Sequence, residues 1–242
     1  MYVKKKKYLV LLLVLFFFAL VFLFKYTSER NQKALQTGAD CLKDSILIVD
    51  AGHGGMDGGT VATDGTPEKE INLSIAKKLD ALLRLNGIQT RMTRTDDNSI
   101  HDSSAITVRQ QKVSDIHNRL KILHETENTI LVSIHQNHFS KSKYHGTQVF
   151  FSGNDPQSAV LASCIQQAVI SNLQPDNTRE TKKSGTEIYL LYHAQRPAVM
   201  VECGFLSNTT ETALLKTETY QQQMAMSIYN GILNYFSNAE EV

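Results

Sequence analysis

The stretch ILIVDAGHGGMDGG, residues Ile46–Gly59, decides the fold class that we predict for this chain. It begins as a short run of branched apolar residues, which is typical of a β-strand buried on both faces. The run ends at Asp50, and a glycine-rich loop containing His53 follows at once. Because a strand of this kind needs helices on both faces, an α/β sheet is expected.

The rest of the chain alternates between helix-like and strand-like segments. EINLSIAKKLDALLRLNG has apolar residues at helical spacing, and NTILVSIHQ is a second buried strand. Further strands are predicted in IQTRMTR, GTQVFF, TEIYLLY and PAVMVECGFLS, and one or two amphipathic helices close the chain. Another helix is predicted to present one apolar face, formed by Val113, Ile116, Leu120 and Leu123. The alternation predicts one α/β domain, residues 45–237, with a largely parallel sheet covered by helices on both faces.

The N-terminus carries a different signal. Four cations, Lys4–Lys7, precede an uncharged apolar run, Tyr8–Phe24. As a helix this run would be about 26 Å long, near the lower limit for spanning a bilayer. We predict that residues 1–25 form a membrane anchor, with a cleaved signal peptide as the alternative, and that residues 26–44 form a linker. The lysine block predicts that the chain after Lys25 lies outside the cytoplasm.

Composition and cysteine spacing argue against a nucleic-acid partner, a disulfide framework and a thiolate zinc site. The 242 residues carry a net charge of only +1 and have no basic stripe beyond the N-terminus, so we predict no nucleic-acid partner. The three cysteines are scattered and lack CxxC spacing, so neither a disulfide framework nor a thiolate zinc site is expected.

Ionisable side chains stand at the ends of three buried strands. His53 follows the first strand, His135 ends ILVSIH and Glu202 ends AVMVE. In open α/β sheets, ligands bind beyond the carboxyl ends of the strands. Glu68 and Glu70 at the start of the first long helix are further candidates, although an acid there is favoured by the helix dipole alone. Position does not choose between these two glutamates.

Two histidines and a carboxylate with one open position are typical of a catalytic zinc site. Zinc would activate water and polarise a carbonyl, and a further carboxylate would transfer the proton to the leaving nitrogen. A phosphate-binding loop is the rival interpretation of GHGGMDGG, but its spacing matches neither nucleotide-binding glycine motif. A nucleophilic Cys203 paired with a histidine lacks any supporting motif.

Five segments resemble, in the same order, the zinc-dependent N-acetylmuramoyl-L-alanine amidases of bacterial cell walls: IVDAGHGGMDGG, EKEINLSIA, RMTR, ILVSIHQN and VMVECGFLSN. The resemblance implies a twisted, mixed sheet flanked by helices. It also implies that His53, Glu68 and His135 hold zinc and that Glu202 is the catalytic acid/base. The EK pair of the family selects Glu68 rather than Glu70.

Three longer segments, DIHNRLKIL, GTEIYLLYHAQRPAVMVECGFLSN and YQQQMAMSIYNGILNYF, are similar to the germination-specific amidases of spore-forming bacteria. This resemblance implies a peptidoglycan substrate in spore cortex and a step towards muramic δ-lactam, made jointly with a muramic-acid deacetylase. The chain departs from common family patterns in DAGHGG, where DPGHGG is frequent, and in His138, where a small residue is usual. The role of His138 stays open, with an exposed loop position favoured.

Several other residues have weaker assignments. Asn137 and His193 are candidate substrate contacts. Arg94 and Arg119 are expected to hold loops in place. Asp57 is interpreted as a turn former. Two alternatives to the amidase stay open: a zinc peptidase acting on a stem peptide, and a non-catalytic wall-binding protein. An accessory protein that supports zinc binding is a further hypothesis, since the chain shows no targeting module.

Overall fold

The computed structural model describes residues 16–17, 19–22, 25 and 45–238. The predicted linker, residues 26–44, and most of the predicted membrane segment, Tyr8–Phe24, lie outside the described residues. Within the described ranges, no helix combines the length and the hydropathy that crossing a bilayer requires.

A six-stranded sheet forms the centre of residues 45–238. Its strands are β1 (Ile46–Ala51), β2 (Gln89–Met92), β3 (Thr129–Asn137), β4 (Gln148–Phe151), β5 (Lys182–Lys183) and β6 (Ala198–Phe205). The strand order is β2-β1-β3-β6-β4-β5. The first four strands in this order are mutually parallel, β4 is antiparallel to β6, and β5 is parallel to β4. The predicted mostly parallel, mixed sheet is confirmed.

Helices cover both faces of this sheet, as predicted. They are α1 (Glu68–Leu85), α2 (Val108–His124), α3 (Gln157–Asn172), α4 (Tyr189–His193), α5 (Thr209–Leu215) and α6 (Glu218–Asn238). Side chains alternate along β1, so Leu47 and Val49 enter the larger core, with α1, α3 and α6. Ile48 points to the opposite face and enters a smaller core with α2 and α4.

One predicted strand is wrong. TEIYLLY contains no strand; its second half begins the short helix α4. Leu190 and Leu191 are both buried in the smaller core. Neighbouring side chains of a strand point to opposite faces, so only a helical turn places both on the same side of the sheet. Strand β5 was not predicted, because two exposed lysines carry no apolar pattern.

The predicted apolar face of α2 is wrong in part. Leu123 is buried, and Ile116 and Leu120 pack against the smaller core, but Val113 is exposed. Arg119 is buried instead, at 2% relative exposure. The helix is therefore oriented by a buried cation as well as by its apolar residues.

Parallel pairing brings the predicted site residues to one edge of the sheet. Asp50 of β1 lies opposite Ser133 of β3, and His135 of β3 lies opposite Glu202 of β6. The loop after β1 and the first turn of α1 reach the same edge. The register alone therefore places a histidine beside a glutamate where ligands of α/β proteins bind.

Candidate metal centre and active site

Three of the predicted residues converge. His53, Glu68 and His135 each direct a ligand atom into one place, and the three atoms lie within 4.8 Å of one another. Nδ1 of His135 is 3.0 Å from Oε1 of Glu68, and Nε2 of His53 is 3.4 Å from Oε2. Glu68 is 3% exposed, whereas Glu70 is exposed and lies outside the cluster.

Backbone and amide groups fix the Glu68 carboxylate. Oε2 accepts a hydrogen bond from the Thr60 N–H at 2.9 Å, and Oε1 accepts from the Gln136 N–H at 3.0 Å. The Asn72 amide, one turn along α1, donates to Oε1 at 3.1 Å. Burial acts to raise the pKa of Glu68, but the two neighbouring histidines hold it well below the usual range. The carboxylate is therefore ionised and held in one orientation.

Asp57 orients His53, a role that the sequence analysis missed. Its Oδ2 is 2.8 Å from Nδ1 of His53, while Lys112 pairs with Oδ1 at 2.7 Å. The Asp57 carboxylate also accepts the Gly59 N–H, so the predicted turn function is present as well. With Nδ1 occupied, Nε2 of His53 faces Glu68. Carboxylates that orient a histidine in this way are common behind metal ligands.

The electrostatics of the cluster favour a positive charge. Burial acts to lower the pKa of His53, but hydrogen bonds with Asp57 and Glu68 raise it to about 9. Two carboxylates thus favour the charged form of an imidazole whose Nε2 faces Glu68 in the cluster. A bound cation at the same place would satisfy the same negative potential.

Two buried arginines hold the loop after β1, as predicted. Arg94 donates hydrogen bonds to the carbonyls of Ala51, Gly52 and Lys69. Arg119 donates to the carbonyls of Ala51 at 2.8 Å and His53 at 2.7 Å, and it pairs with Asp50. The backbone that carries His53 is therefore fixed by side chains of α2 and of the segment after β2.

Asp50 completes this network beneath the metal cluster. It accepts hydrogen bonds from Thr93 at 2.7 Å and from Ser133, in addition to the Arg119 pair. Burial acts to raise the pKa of Asp50, but the Arg119 charge, His135 and these two hydroxyls lower it from 3.8 to about 2. A carboxylate whose pKa is lowered in the folded state stabilises the fold only while it is ionised.

This shift predicts a specific loss of stability in acid. The contribution of Asp50 is present above pH 3.8 and is lost as the pH falls through about 2; it amounts to about 2 kcal/mol. We expect Asp50→Asn to remove that part of the pH profile and to destabilise the protein at neutral pH by about 1–3 kcal/mol, because buried Arg119 loses one of its two carboxylate partners and keeps only Asp115. Urea unfolding between pH 2 and 7 measures both effects.

The matched control is Asp64→Asn, which removes the carboxylate of an exposed pair with Lys216. Solvent screens that pair, so its removal should change the profile much less. Equal pH slopes for the wild type and Asp50→Asn would contradict the assignment of acid sensitivity to Asp50.

Glu202 stands beside the cluster with a different character. Burial and the nearby Glu68 charge raise its pKa to about 7, against the opposing effect of His135 and His53. Its Oε2 is buried and has no hydrogen-bond partner among the described residues. A buried carboxyl group that titrates near neutrality and has a free oxygen is suited to exchanging a proton with a bound molecule.

The weaker candidates are not part of the cluster. His138 is exposed, as favoured from the sequence. Asn137 is half-buried, and its carbonyl accepts the Leu206 N–H, which holds the turn after β6. His193 is exposed on α4 and stacks on two tyrosines. Cys203 is fully buried, and burial raises the pKa of its thiol well above the usual range, which argues against a nucleophilic role.

The donor set fits a catalytic divalent metal ion. Two imidazoles and one carboxylate leave an open position, and Asp57 supplies the partner that a ligating histidine usually has. The unpartnered Oε2 of Glu202 lies next to His135 in the sheet register, where a substrate would meet the metal. An α/β domain with such a centre at the carboxyl ends of its strands belongs to the class of metal-dependent hydrolases.

Comparison with known proteins identifies the family. The sequence model of the N-acetylmuramoyl-L-alanine amidases called Amidase_3 matches residues 47–234, and the chain belongs to this family of metal-dependent amidases. It is 34% identical to the germination-specific N-acetylmuramoyl-L-alanine amidase of Bacillus subtilis over 218 residues, which cover 90% of each protein.

Solved structures agree with this assignment. The CwlD amidase of Clostridioides difficile, solved in complex with the GerS lipoprotein, matches with a TM-score of 0.77 and 41% identity over 81% of this chain and 100% of that one. The amidase AmiC2 of Nostoc punctiforme matches with a TM-score of 0.68 and 28% identity over 79% of this chain and 96% of that one. The chain is therefore an N-acetylmuramoyl-L-alanine amidase by family and by fold.

Proposed function

We propose that this chain is a zinc-dependent amidase that cleaves the bond between N-acetylmuramic acid and L-alanine in spore-cortex peptidoglycan. The proposal rests on one observation above all: the free, buried Oε2 of Glu202 lies beside the cluster of His53, Glu68 and His135. The similarity to the germination-specific amidase of Bacillus subtilis supports the cortex as the setting.

In this proposal each residue has a separate task. His53, Glu68 and His135 hold the zinc ion, and Asp57 orients His53. When bound, zinc activates a water molecule and polarises the amide carbonyl. Glu202 accepts the proton of the attacking water and delivers it to the leaving nitrogen of L-alanine. A pKa near 7 suits both halves of this transfer, because neither the acid nor the base form is strongly disfavoured.

The same comparison and the N-terminal sequence support a proposal for the setting of the enzyme. We propose that residues 45–237 form the catalytic domain outside the cytoplasm, joined by residues 26–44 to an anchor or signal segment at residues 1–25. Removal of stem peptides would prepare muramic acid for a deacetylase that forms the δ-lactam. Since the CwlD structure contains the GerS lipoprotein, we propose an accessory protein of similar kind as a partner for this chain.

Product analysis tests the reaction. Purified protein loaded with zinc should release stem peptides with L-alanine at the free amino terminus and leave peptide-free muramic acid, as identified by mass spectrometry of digested peptidoglycan. Fragments cut within the stem peptide would favour a peptidase instead. No release of any fragment by the zinc-loaded protein would favour a non-catalytic wall-binding protein.

A substitution in the loop after β1 tests the proposed zinc site without replacing any of its ligands. Gly59 has a φ of +70°, and a Cβ atom there would lie 2.6 Å from Oε2 of Glu68 and 2.7 Å from Cδ2 of His53. We expect Gly59→Ala to displace both ligands and to weaken zinc affinity by about 10- to 100-fold, as loss of supporting contacts does in other metal sites. Metal competition titration measures this affinity.

Gly65 provides the matched control, since its φ is +89° and a Cβ atom there would meet nothing within 4 Å. Gly65→Ala therefore has a comparable backbone cost, about 1–2 kcal/mol, without contact with the site. Equal zinc affinities for the two variants would show that Gly59 does not shape the metal centre.

A further inference from the structure

Four aromatic side chains form a connected cluster on the surface made by α2 and α4. His117 of α2 stacks against Tyr189 of α4 with ring centroids 5.3 Å apart. Tyr189 continues to His193 at 4.2 Å, and His193 continues to Tyr192 at 5.1 Å. We call these four rings the ring cluster. His193, a candidate substrate contact from the sequence, contacts the rings of Tyr189 and Tyr192 in this cluster.

The ring cluster has no task in the packing of the fold. All four side chains are exposed, Tyr189 by 37% and Tyr192 by 49%. Leu190 and Leu191 already attach α4 to the smaller core. Within the described part of the chain, the hydroxyls of both tyrosines and the ring nitrogens of His117 and His193 take part in no hydrogen bond. Contiguous exposed aromatic surface of this kind marks a binding site more often than chance.

The ring cluster adjoins a groove that is lined by the candidate metal ligands His53 and His135 but not by Glu202; we call it the catalytic groove. A cavity of about 300 Å³ contains His53 and His135 at one end and is walled by α2 and by the segment Glu187–Leu190. Tyr189 lines this cavity and also stacks on two rings of the cluster. A ligand that lies in the groove and extends past Tyr189 therefore reaches the ring cluster without crossing a gap.

The side-chain chemistry of the ring cluster indicates which part of the substrate it binds, the stem peptide or the glycan strand. The four rings themselves carry no carboxylate, lysine or arginine, although Asp102 and Arg109 line a separate cavity with His117. The groove presents Lys112, Asp57 and Glu187 to charged groups. A stem peptide carries charged groups, and a glycan strand of N-acetylated sugars is neutral apart from its peptide attachments. Sugar rings have apolar C–H faces, which match aromatic faces, and hydroxyl edges, which match the free polar atoms of these side chains.

We propose that His117, Tyr189, Tyr192 and His193 bind the glycan strand of peptidoglycan and present its muramic acid to the catalytic groove, an inference that rests on the proposed function. The scissile amide is attached to a sugar through a lactyl group. The strand must therefore pass within one sugar of the metal centre, and Tyr189 of the ring cluster lines the same cavity as two of the candidate metal ligands.

The test uses the full chain and glycan strands from which all stem peptides have been removed, with the freed lactyl carboxylates converted to amides so that the strands stay neutral. Isothermal titration calorimetry should show binding to the wild type. Tyr192→Ala and His193→Ala should each weaken it about three- to tenfold, as loss of one stacked ring does, while Tyr192→Phe should keep most of the affinity. Val160→Ala on α3 removes an exposed apolar side chain outside the cluster and should change nothing. On peptide-bearing strands, Tyr192→Ala should raise KM and leave kcat unchanged.

Three results would overturn the inference. The first is no binding of peptide-free strands to the wild type, and the second is equal affinity in the wild type and both alanine variants. Weaker binding of free stem peptide in Tyr192→Ala would also overturn it, since the ring cluster would then hold the peptide. The calorimetric measurement needs no turnover, so it separates failure of this inference from failure of the proposed amidase reaction.

Discussion

We expect Glu202→Gln to reduce the rate of amide hydrolysis by about 10²–10⁴-fold, the usual contribution of a positioned acid/base group. Glutamine has the shape of a neutral glutamic acid but cannot carry a proton between the water and the leaving nitrogen. Burial already favours the neutral form of Glu202, whose pKa is raised to about 7. The fold should therefore tolerate the change, and bound zinc should remain. Steady-state hydrolysis of peptidoglycan and metal analysis of the same sample measure both quantities.

Glu70→Gln is the matched control for this variant. Glu70 is an exposed glutamate in the first turn of α1, so the same chemical change there should leave turnover and zinc content unaltered. Turnover within tenfold of wild type would remove Glu202 from its proposed role. Loss of zinc together with activity would instead make Glu202 a ligand, and the two readouts distinguish these cases.

The second large effect concerns zinc itself. We expect His135→Ala and Glu68→Gln each to weaken zinc binding by at least about 100-fold, the upper end of the effect of losing a partner behind a ligand. Each change removes one of three groups whose ligand atoms lie within 4.8 Å of one another. Native mass spectrometry should show about one zinc per chain in the wild type and none in either variant at the same zinc concentration.

His138→Ala and Glu70→Gln are the controls, because each changes an exposed residue of the same type a few positions away. Both should keep zinc. If His138→Ala released zinc while His135→Ala retained it, the ligand from β3 would have to be reassigned. If Glu70→Gln released it and Glu68→Gln did not, the choice between the two glutamates would be reversed.

The strands that carry the site were predictable from the sequence, but their ends were not: β3 continues two residues past His135, and β6 continues three residues past Glu202. Apolar runs that end in Asp50, His135 and Glu202 are short enough to be strands, and parallel strands place their carboxyl ends at one edge. Glu68 was different. Helix position alone did not separate it from Glu70, and only the family motif chose the residue that the structure buries in the cluster.

Other features could not be predicted from the spacing of apolar residues, because they depend on polar contacts or on packing. Arg119 is counted as polar in any periodicity, yet its pair with Asp50 buries it and orients α2. Asp57 in a glycine-rich loop is read first as a turn residue, although a carboxylate four positions after a candidate ligand was a usable signal. For TEIYLLY, a run this short fits a strand or a helix equally well, and contacts with the smaller core decide for α4.

Because of the arginine network around the loop after β1, we expect folding of this chain not to depend on metal binding. In zinc fingers the ion supplies the free energy that orders the chain, so the apoprotein is unfolded. Here Arg94 and Arg119 fix the His53 backbone through protein contacts alone, so chelation should leave the far-ultraviolet circular dichroism spectrum unchanged. A metal-dependent amidase with this property can fold completely before it binds metal. The supply of metal then determines when hydrolysis begins.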